Sequence, residues 1–159
     1  MKRPVKNIFA RTKYHCFGCS PHNEIGLHLH FYEDGDYVQS SWKPTPNHEG
    51  YPNIVHGGIL STLIDEVAGW TLYVKARCAG VTSRMNIRYR KPASSTQGEL
   101  LFRGKIKAIK RNLCYIEVEL FNSHNEICAE AEVIYFMFSR EKSINEYYYP
   151  EDDSAFFDE

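Results

Sequence analysis

Nowhere in this sequence do apolar residues run to the eighteen or so that a membrane-spanning helix needs. The basic residues 1–15 hold no apolar segment, so no secretory signal is read there. Net charge is missing as well: 19 Lys and Arg against 20 Asp and Glu leave a formal −1, which excludes nucleic-acid binding by bulk charge. The cysteines Cys16, Cys19, Cys78, Cys114 and Cys128 are odd in number and cannot all pair within one chain. With no signal, they are expected as reduced thiols in a cytoplasmic protein. What is present suits one globular domain: 159 residues, 43% hydrophobic and 14% aromatic.

The chain is organised around residues 56–70, His-Gly-Gly-Ile-Leu-Ser-Thr-Leu-Ile-Asp-Glu-Val-Ala-Gly-Trp. Leu60, Leu63, Ile64 and Val67 recur at helical spacing. Ser61, Thr62, Asp65 and Gly69 fall on another side, so Asp65 is a carboxylate beside small residues in a mostly apolar helix. Gly57 and Gly58 let a backbone approach closely. The orphan N–H groups of a helix start, with the positive end of its dipole, suit a carbonyl oxygen that is gaining charge. A helix rise of 1.5 Å per residue separates Gly57 from Asp65 by about 12 Å. A single carbonyl needs contacts of about 3 Å from each. A site using both therefore closes only between two chains, which makes a homodimer part of the mechanism.

Residues 1–15 read as a loosely docked arm. Cys16-Phe17-Gly18-Cys19, flanked by His15 and His22, offers ligand types that zinc uses, but no second Cys-x-x-Cys follows. A packed turn without metal is the expectation. Residues 27–32 alternate, with Leu27, Leu29 and Phe31 on one face and His28 and His30 on the other, and an Asp34-Gly35 turn leads to a second strand over 37–42. Pro44, Pro46 and Pro52 make an ordered loop that presents His48, Glu49 and Asn53 just before the helix. Four strands follow, over 81–90, 99–110, 115–121 and 127–138. In the first, Met85, Ile87 and Tyr89 face the core and Arg84, Arg88 and Arg90 form a basic face, which Arg103, Lys105 and Lys107 continue on the next. That face is either solvated or suited to phosphates. Ile106 and Ala108 are expected inward. Two strands, a helix and four strands predict an α+β fold with an antiparallel sheet packed on one helix. Residues 139–159 are acidic and aromatic, and either stay disordered or dock by their rings.

His56-Gly57-Gly58 with Asp65 two turns on, preceded by Gly50-Tyr51-Pro52-Asn53-Ile54-Val55, resembles the thioesterases of the hotdog superfamily, especially the phenylacetyl-CoA thioesterase-like branch. The resemblance covers residues 16–138 and includes that branch's Cys-x-Gly-Cys…Asn…Gly-Leu opening. It implies a hotdog fold, a curved antiparallel sheet wrapped around one long helix. It implies an acyl-CoA substrate, with coenzyme A as part of the substrate and no separate cofactor, and sites at a subunit interface in a dimer or tetramer. By the same resemblance Thr82, with Ser83 beside it, stands where the family places a hydroxyl near the catalytic Asp. Gly50 stands where some relatives carry a polar residue, six before His56. That leaves Asn53 or His48 to hold the water.

Thioester hydrolysis needs a carboxylate to activate water or attack directly, and donors for the carbonyl oxygen. Asp65 is the expected carboxylate, a Gly57 or Gly58 N–H the donor, and His56 either fixes the helix start or moves protons. Gly69, one turn past Asp65, opens space for an acyl group that Trp70 and Tyr73 shorten. Two other classes stand beside this one. A hotdog dehydratase or hydratase would use His48 as base with Glu66 or Asp65 as partner. A non-catalytic acyl-CoA binder would explain Gly50.

Overall fold

The computed structural model describes residues 1–11 and 14–158. Residues 12, 13 and 159, which fall in the expected arm and tail, lie outside the described residues. Among the described residues, seven strands form one antiparallel sheet: β1 (Arg3–Val5), β2 (Phe31–Asp34), β3 (Tyr37–Trp42), β4 (Gly80–Tyr89), β5 (Leu100–Lys110), β6 (Leu113–Phe121) and β7 (Ile127–Met137). Their spatial order is β1-β2-β3-β5-β6-β7-β4. Helix α1 (Gly57–Thr71) lies across the concave face, against β3, β5 and β6 and in contact with β4 and β7. The α+β architecture predicted from element order is the one observed.

The core follows from two periodicities meeting. Leu60, Leu63, Ile64 and Val67 of α1 are buried, and so are Ile116, Val118 and Leu120 of β6 and Ala129, Ala131 and Val133 of β7. Each large side chain so enclosed contributes about 1.5–3 kcal/mol relative to exposure. Gly104 in β5 sets the depth of the helix, because a Cβ there would stand 2.6 Å from Thr71 Oγ1 and 3.3 Å from Val67 Cγ1. The helix ends in a π-helical turn, Leu72–Ala76, closed by Arg77 at φ +58°.

Several segments depart from the sequence expectation. Arg3–Val5 of the arm pairs with β2 as a seventh strand. The inward side chains of residues 27–31 are buried as expected, yet only Phe31 onward is strand, since His28 adopts φ +54° and its ring sits 2.6 Å from the Asn23 carbonyl. The hairpin centres on Gly35-Asp36, one residue later than expected, because Asp34 pairs with Tyr37 and Gly35 takes φ +57°. In β5 a bulge at Lys107 turns Ala108 opposite Tyr115 and away from the core register, and sets Ile109 opposite Cys114, where it stays 50% exposed.

The tail docks by its rings. Helix α2 (Arg140–Tyr147) leads to Tyr149 and Phe156, which are 2% and 1% exposed. Phe156 packs 6.2 Å from Trp70, and its carbonyl accepts from Lys6 N–H at 2.8 Å. Tyr149 donates to the Tyr73 carbonyl at 2.8 Å. The N-terminal strand and the tail thus clasp one end of α1.

Strand β4 is the largest departure. Its face of Met85, Ile87 and Tyr89 was expected in the core, yet Met85 and Tyr89 are 36% and 49% exposed and Ile87 is only half-buried. The strand is the edge of the sheet, so its outer backbone groups lack a strand partner.

Candidate active site

Asp65 lies midway along α1, half-buried, and two strands reach it. Thr82 Oγ1 donates to its Oδ1 at 2.8 Å and Tyr135 Oη donates to the same oxygen at 2.9 Å. Tyr135 also lies 3.0 Å from the Asp65 carbonyl. No described residue donates to Oδ2. Burial, and then the Asp65 charge, push the Tyr135 phenol up, so it stays a protonated donor. A carboxylate held by one oxygen with the other free suits both proton abstraction and nucleophilic attack.

A bulge makes this meeting possible. Thr82 pairs with Tyr135 and Arg84 with Ile134, so Ser83 is the extra residue. Strict alternation would set Thr82 on the face opposite Met85. With Ser83 looped out, Thr82, Met85, Ile87 and Tyr89 all share the helix-facing side, opposite Tyr135, Val133, Ala131 and Ala129. Arg84, Arg88 and Arg90 therefore lie on the far face, away from Asp65. Arg90 is tied to Glu130. The part of the basic face on β5 is neutralised too: Arg103 pairs with Glu119 at 2.6 Å, and Lys107 sits between Glu117 and Glu132 at 3.4 and 3.3 Å. Arg84 and Arg88 carry no ion pair among the described residues.

The helix start is built differently from the simplest expectation. His56 Nδ1 accepts from Gly58 N–H at 2.9 Å, so the histidine caps the helix and Gly58 is no free donor. A Cβ on Gly58 would come within 3.0 Å of that ring. Gly57 remains: its N–H has no acceptor among the described residues, and its carbonyl accepts from Tyr89 Oη at 2.8 Å. His48 points elsewhere. Its Nδ1 accepts from Thr45 N–H at 3.0 Å, its ring packs edge-on against Trp42, and burial lowers its pKa. Its carbonyl, accepting from His56 N–H at 2.8 Å, steadies the loop. Asn53 is exposed at φ +65° and its carbonyl holds Ser95 N–H at 3.0 Å.

Beside Asp65 opens a cavity of about 470 Å³, lined among others by Thr82, Tyr135, Gly69, Tyr73 and Tyr148. A Cβ on Gly69 would stand 3.1 Å from Tyr135 Oη, so glycine there leaves both the cavity and the Asp65 contact open. Trp70 is only 1% exposed and stacks on Phe31 at 4.7 Å. Tyr135 was missed from sequence because it reads as one more inward residue of an alternating strand. Glu66, read as structural, turns its carboxylate toward the N-terminal segment. It accepts from Trp70 Nε1 at 3.2 Å and lies 3.4 Å from Cys16 Sγ, and burial pushes it up to about 8.

Residues 52–129 match the family model described as Thioesterase superfamily. No curated protein matches the chain. Solved structures do. A thioesterase superfamily protein aligns at TM-score 0.68 and 22% identity over 73% of this chain, which spans 57% of that protein's length. A thioesterase superfamily protein from Shewanella loihica aligns at TM-score 0.63 and 26% identity, over 80% of this chain and 96% of that one. A Streptococcus mutans protein bound to acetyl-CoA aligns at 0.65 and 20% identity, over 80% and 95%. The sheet packed around one long helix is thus the hotdog fold of these structures, and the match to the thioesterase superfamily model spans the central helix and the strands after it.

Proposed function

We propose that this protein is an acyl-CoA thioesterase working as a homodimer, each site built from Asp65 and Thr82 of one chain and Gly57 of the other. The observation that carries the reading is the placement of two half-sites along the open strand β4. Thr82, near its start, holds Asp65, and Tyr89, at its end, holds Gly57. A two-fold axis through the middle of β4, pairing it antiparallel with a second copy, sets the Thr82 end of one chain beside the Tyr89 end of the other. The same pairing covers Met85 and Tyr89 and removes the edge. Within one chain the half-sites remain about 12 Å apart along the helix.

In this arrangement the free Asp65 Oδ2 takes a proton from water, or attacks the thioester carbon itself. The carbonyl oxygen gains charge against Gly57 N–H of the second chain, at the positive end of α1. The tetrahedral adduct then collapses, the C–S bond breaks, and the acid and the CoA thiol leave. The acyl group fits the cavity beyond Gly69. Acetyl-CoA bound to the similar streptococcal protein supports coenzyme A as the carrier. Arg84 and Arg88, which carry no ion pair among the described residues, are the cations of β4 that its phosphates would meet, reached around the strand edge from the face opposite Asp65.

Thiol release from a panel of acyl-CoAs tests the reading. Wild type is expected to release CoA, and Asp65→Asn to lose at least about a hundredfold in kcat while staying folded and dimeric. Equal rates in both would remove Asp65 from the mechanism. A change in acyl unsaturation without thiol release would identify a hydratase or dehydratase, and binding without turnover a carrier.

A further inference from the structure

The Cys16 and Cys19 sulfurs and the Glu66 carboxylate come together although fifty residues of chain separate Cys16 from Glu66. One donor atom from each lies within 4.8 Å of the others. Cys16 Sγ is 3.4 and 3.5 Å from the two Glu66 oxygens. A tetrahedral zinc ion, with bonds of about 2.3 Å to sulfur and 2.0 Å to oxygen, holds its sulfur and oxygen ligands about 3.5 Å apart. The Cys16–Glu66 spacing therefore already matches that of two ligands on one zinc ion, with the Cys19 sulfur within 4.8 Å of both.

The surroundings fit as well. A Cβ on Gly18 would collide with the Glu66 carboxylate, so glycine in Cys-x-Gly-Cys is what lets the two meet. Trp70 Nε1 donates to Glu66 Oε1 at 3.2 Å, the kind of outer bond that orients a ligating carboxylate. All three donors line the cavity that also reaches Thr82 and Tyr135, so a fourth position faces open space. Three protein ligands and one exchangeable position is the make-up of an open zinc site. Thiolate donors disfavour magnesium and calcium, which take oxygen. In the sequence the cysteines are flanked by His15 and His22, although a packed turn without metal is what it leads one to expect. His22 instead lies 2.9 Å from the Ala10 carbonyl, and the third donor is Glu66.

We propose that Cys16, Cys19 and Glu66 bind one zinc ion with a water in the fourth position, pinning the N-terminal segment to α1 next to Asp65. Binding displaces the two thiol protons and any carboxyl proton to solvent, with no redox change. The proposal does not depend on the thioesterase reading.

Full-length protein, reduced and stripped with a chelator, is dialysed against zinc chloride or cobalt chloride. Metal content is read by emission spectrometry and the cobalt form by its visible and sulfur-to-cobalt absorption. The expected result is one metal per chain with tetrahedral thiolate bands. Both disappear in Cys16→Ser, and Glu66→Gln, which preserves shape, weakens uptake at least about tenfold while circular dichroism stays unchanged. No uptake by the reduced wild type would overturn the proposal, as would full uptake by both variants. A Cys16–Cys19 disulfide on oxidation, in a protein that takes no zinc when reduced, would overturn it in favour of a redox pair.

Discussion

Tyr135 and Thr82 give their hydroxyl hydrogens to the same oxygen of Asp65, at 2.9 and 2.8 Å. The two donors stand on adjacent strands, β7 and β4, in register with one another. The carboxylate is thereby fixed in one rotamer with its second oxygen directed away from both.

Replacing either donor should therefore damage catalysis more than folding. Tyr135→Phe and Thr82→Val each remove a hydrogen bond to a charged group, worth about 1.5–3 kcal/mol. A loss of about tenfold or more in kcat is expected from each, with little change in KM. The double variant should lose less than the product of the single losses, because both bonds orient one oxygen. Steady-state thiol release over the four proteins of the cycle measures this.

Gly104→Ala probes how closely the helix lies on the sheet. The new methyl group meets Thr71 Oγ1 at 2.6 Å and Val67 Cγ1 at 3.3 Å. The expected cost is about 1–3 kcal/mol, visible as a lower midpoint in urea unfolding. Relief by Thr71→Ala in the same chain would locate the strain at that contact.

Phe156→Ala tests the docked tail. The ring is 1% exposed and lies 5.6 Å from Tyr149 and 6.2 Å from Trp70. Its removal should cost about 3–5 kcal/mol. Hydrogen exchange should then quicken in β1, whose following residue Lys6 bonds to the Phe156 carbonyl.

Acid should loosen the N-terminal clasp through Glu33. Burial alone would raise this carboxyl, but bonds from Lys75 and Arg3, both at 2.5 Å, outweigh it and hold the pKa below its ordinary value. A folded-state pKa lower than the unfolded one gives stability that is full above about pH 4.5 and is lost as pH falls through the folded value. Glu33→Gln should thus be less stable than wild type by about 1–3 kcal/mol at neutral pH. The gap should close on acidification, measured as unfolding midpoints across a pH series.

The sequence made some of this legible and not the rest, for physical reasons. The helix over 57–71 and the strands facing it were readable because burial imposes periods of 3.6 and 2 on Leu60, Leu63, Ile64 and Val67 and on Ile116, Val118 and Leu120. Asp65 stood out as a charge where that pattern calls for apolar or small residues. The bulge at Ser83 was not readable, since one extra residue leaves no mark in composition, yet it alone puts Thr82 and Met85 on the same face. The exposure of β4 followed from its place at the sheet edge, which alternation does not report. The Gly58 bond to His56 and the meeting of Glu66 with Cys16 depend on side-chain directions across a turn or across the fold, which spacing in the chain does not encode.

The most direct measurement mixes two dead chains. Gly57→Pro removes the Gly57 N–H, which has no acceptor among the described residues and stands at the first helical position, where proline fits. The preceding His56 already has φ −59° and ψ 131°, the extended conformation proline requires of its neighbour. Asp65→Asn removes the carboxylate. Each variant alone should be inactive. In a mixed dimer one of the two sites receives both lesions and the other receives neither, so co-expression in equal amounts should restore about a quarter of wild-type thiol release per chain. Recovery near that level would establish that Asp65 and Gly57 of different chains serve one carbonyl. No recovery, with mixed dimers demonstrably present, would contradict the two-chain site.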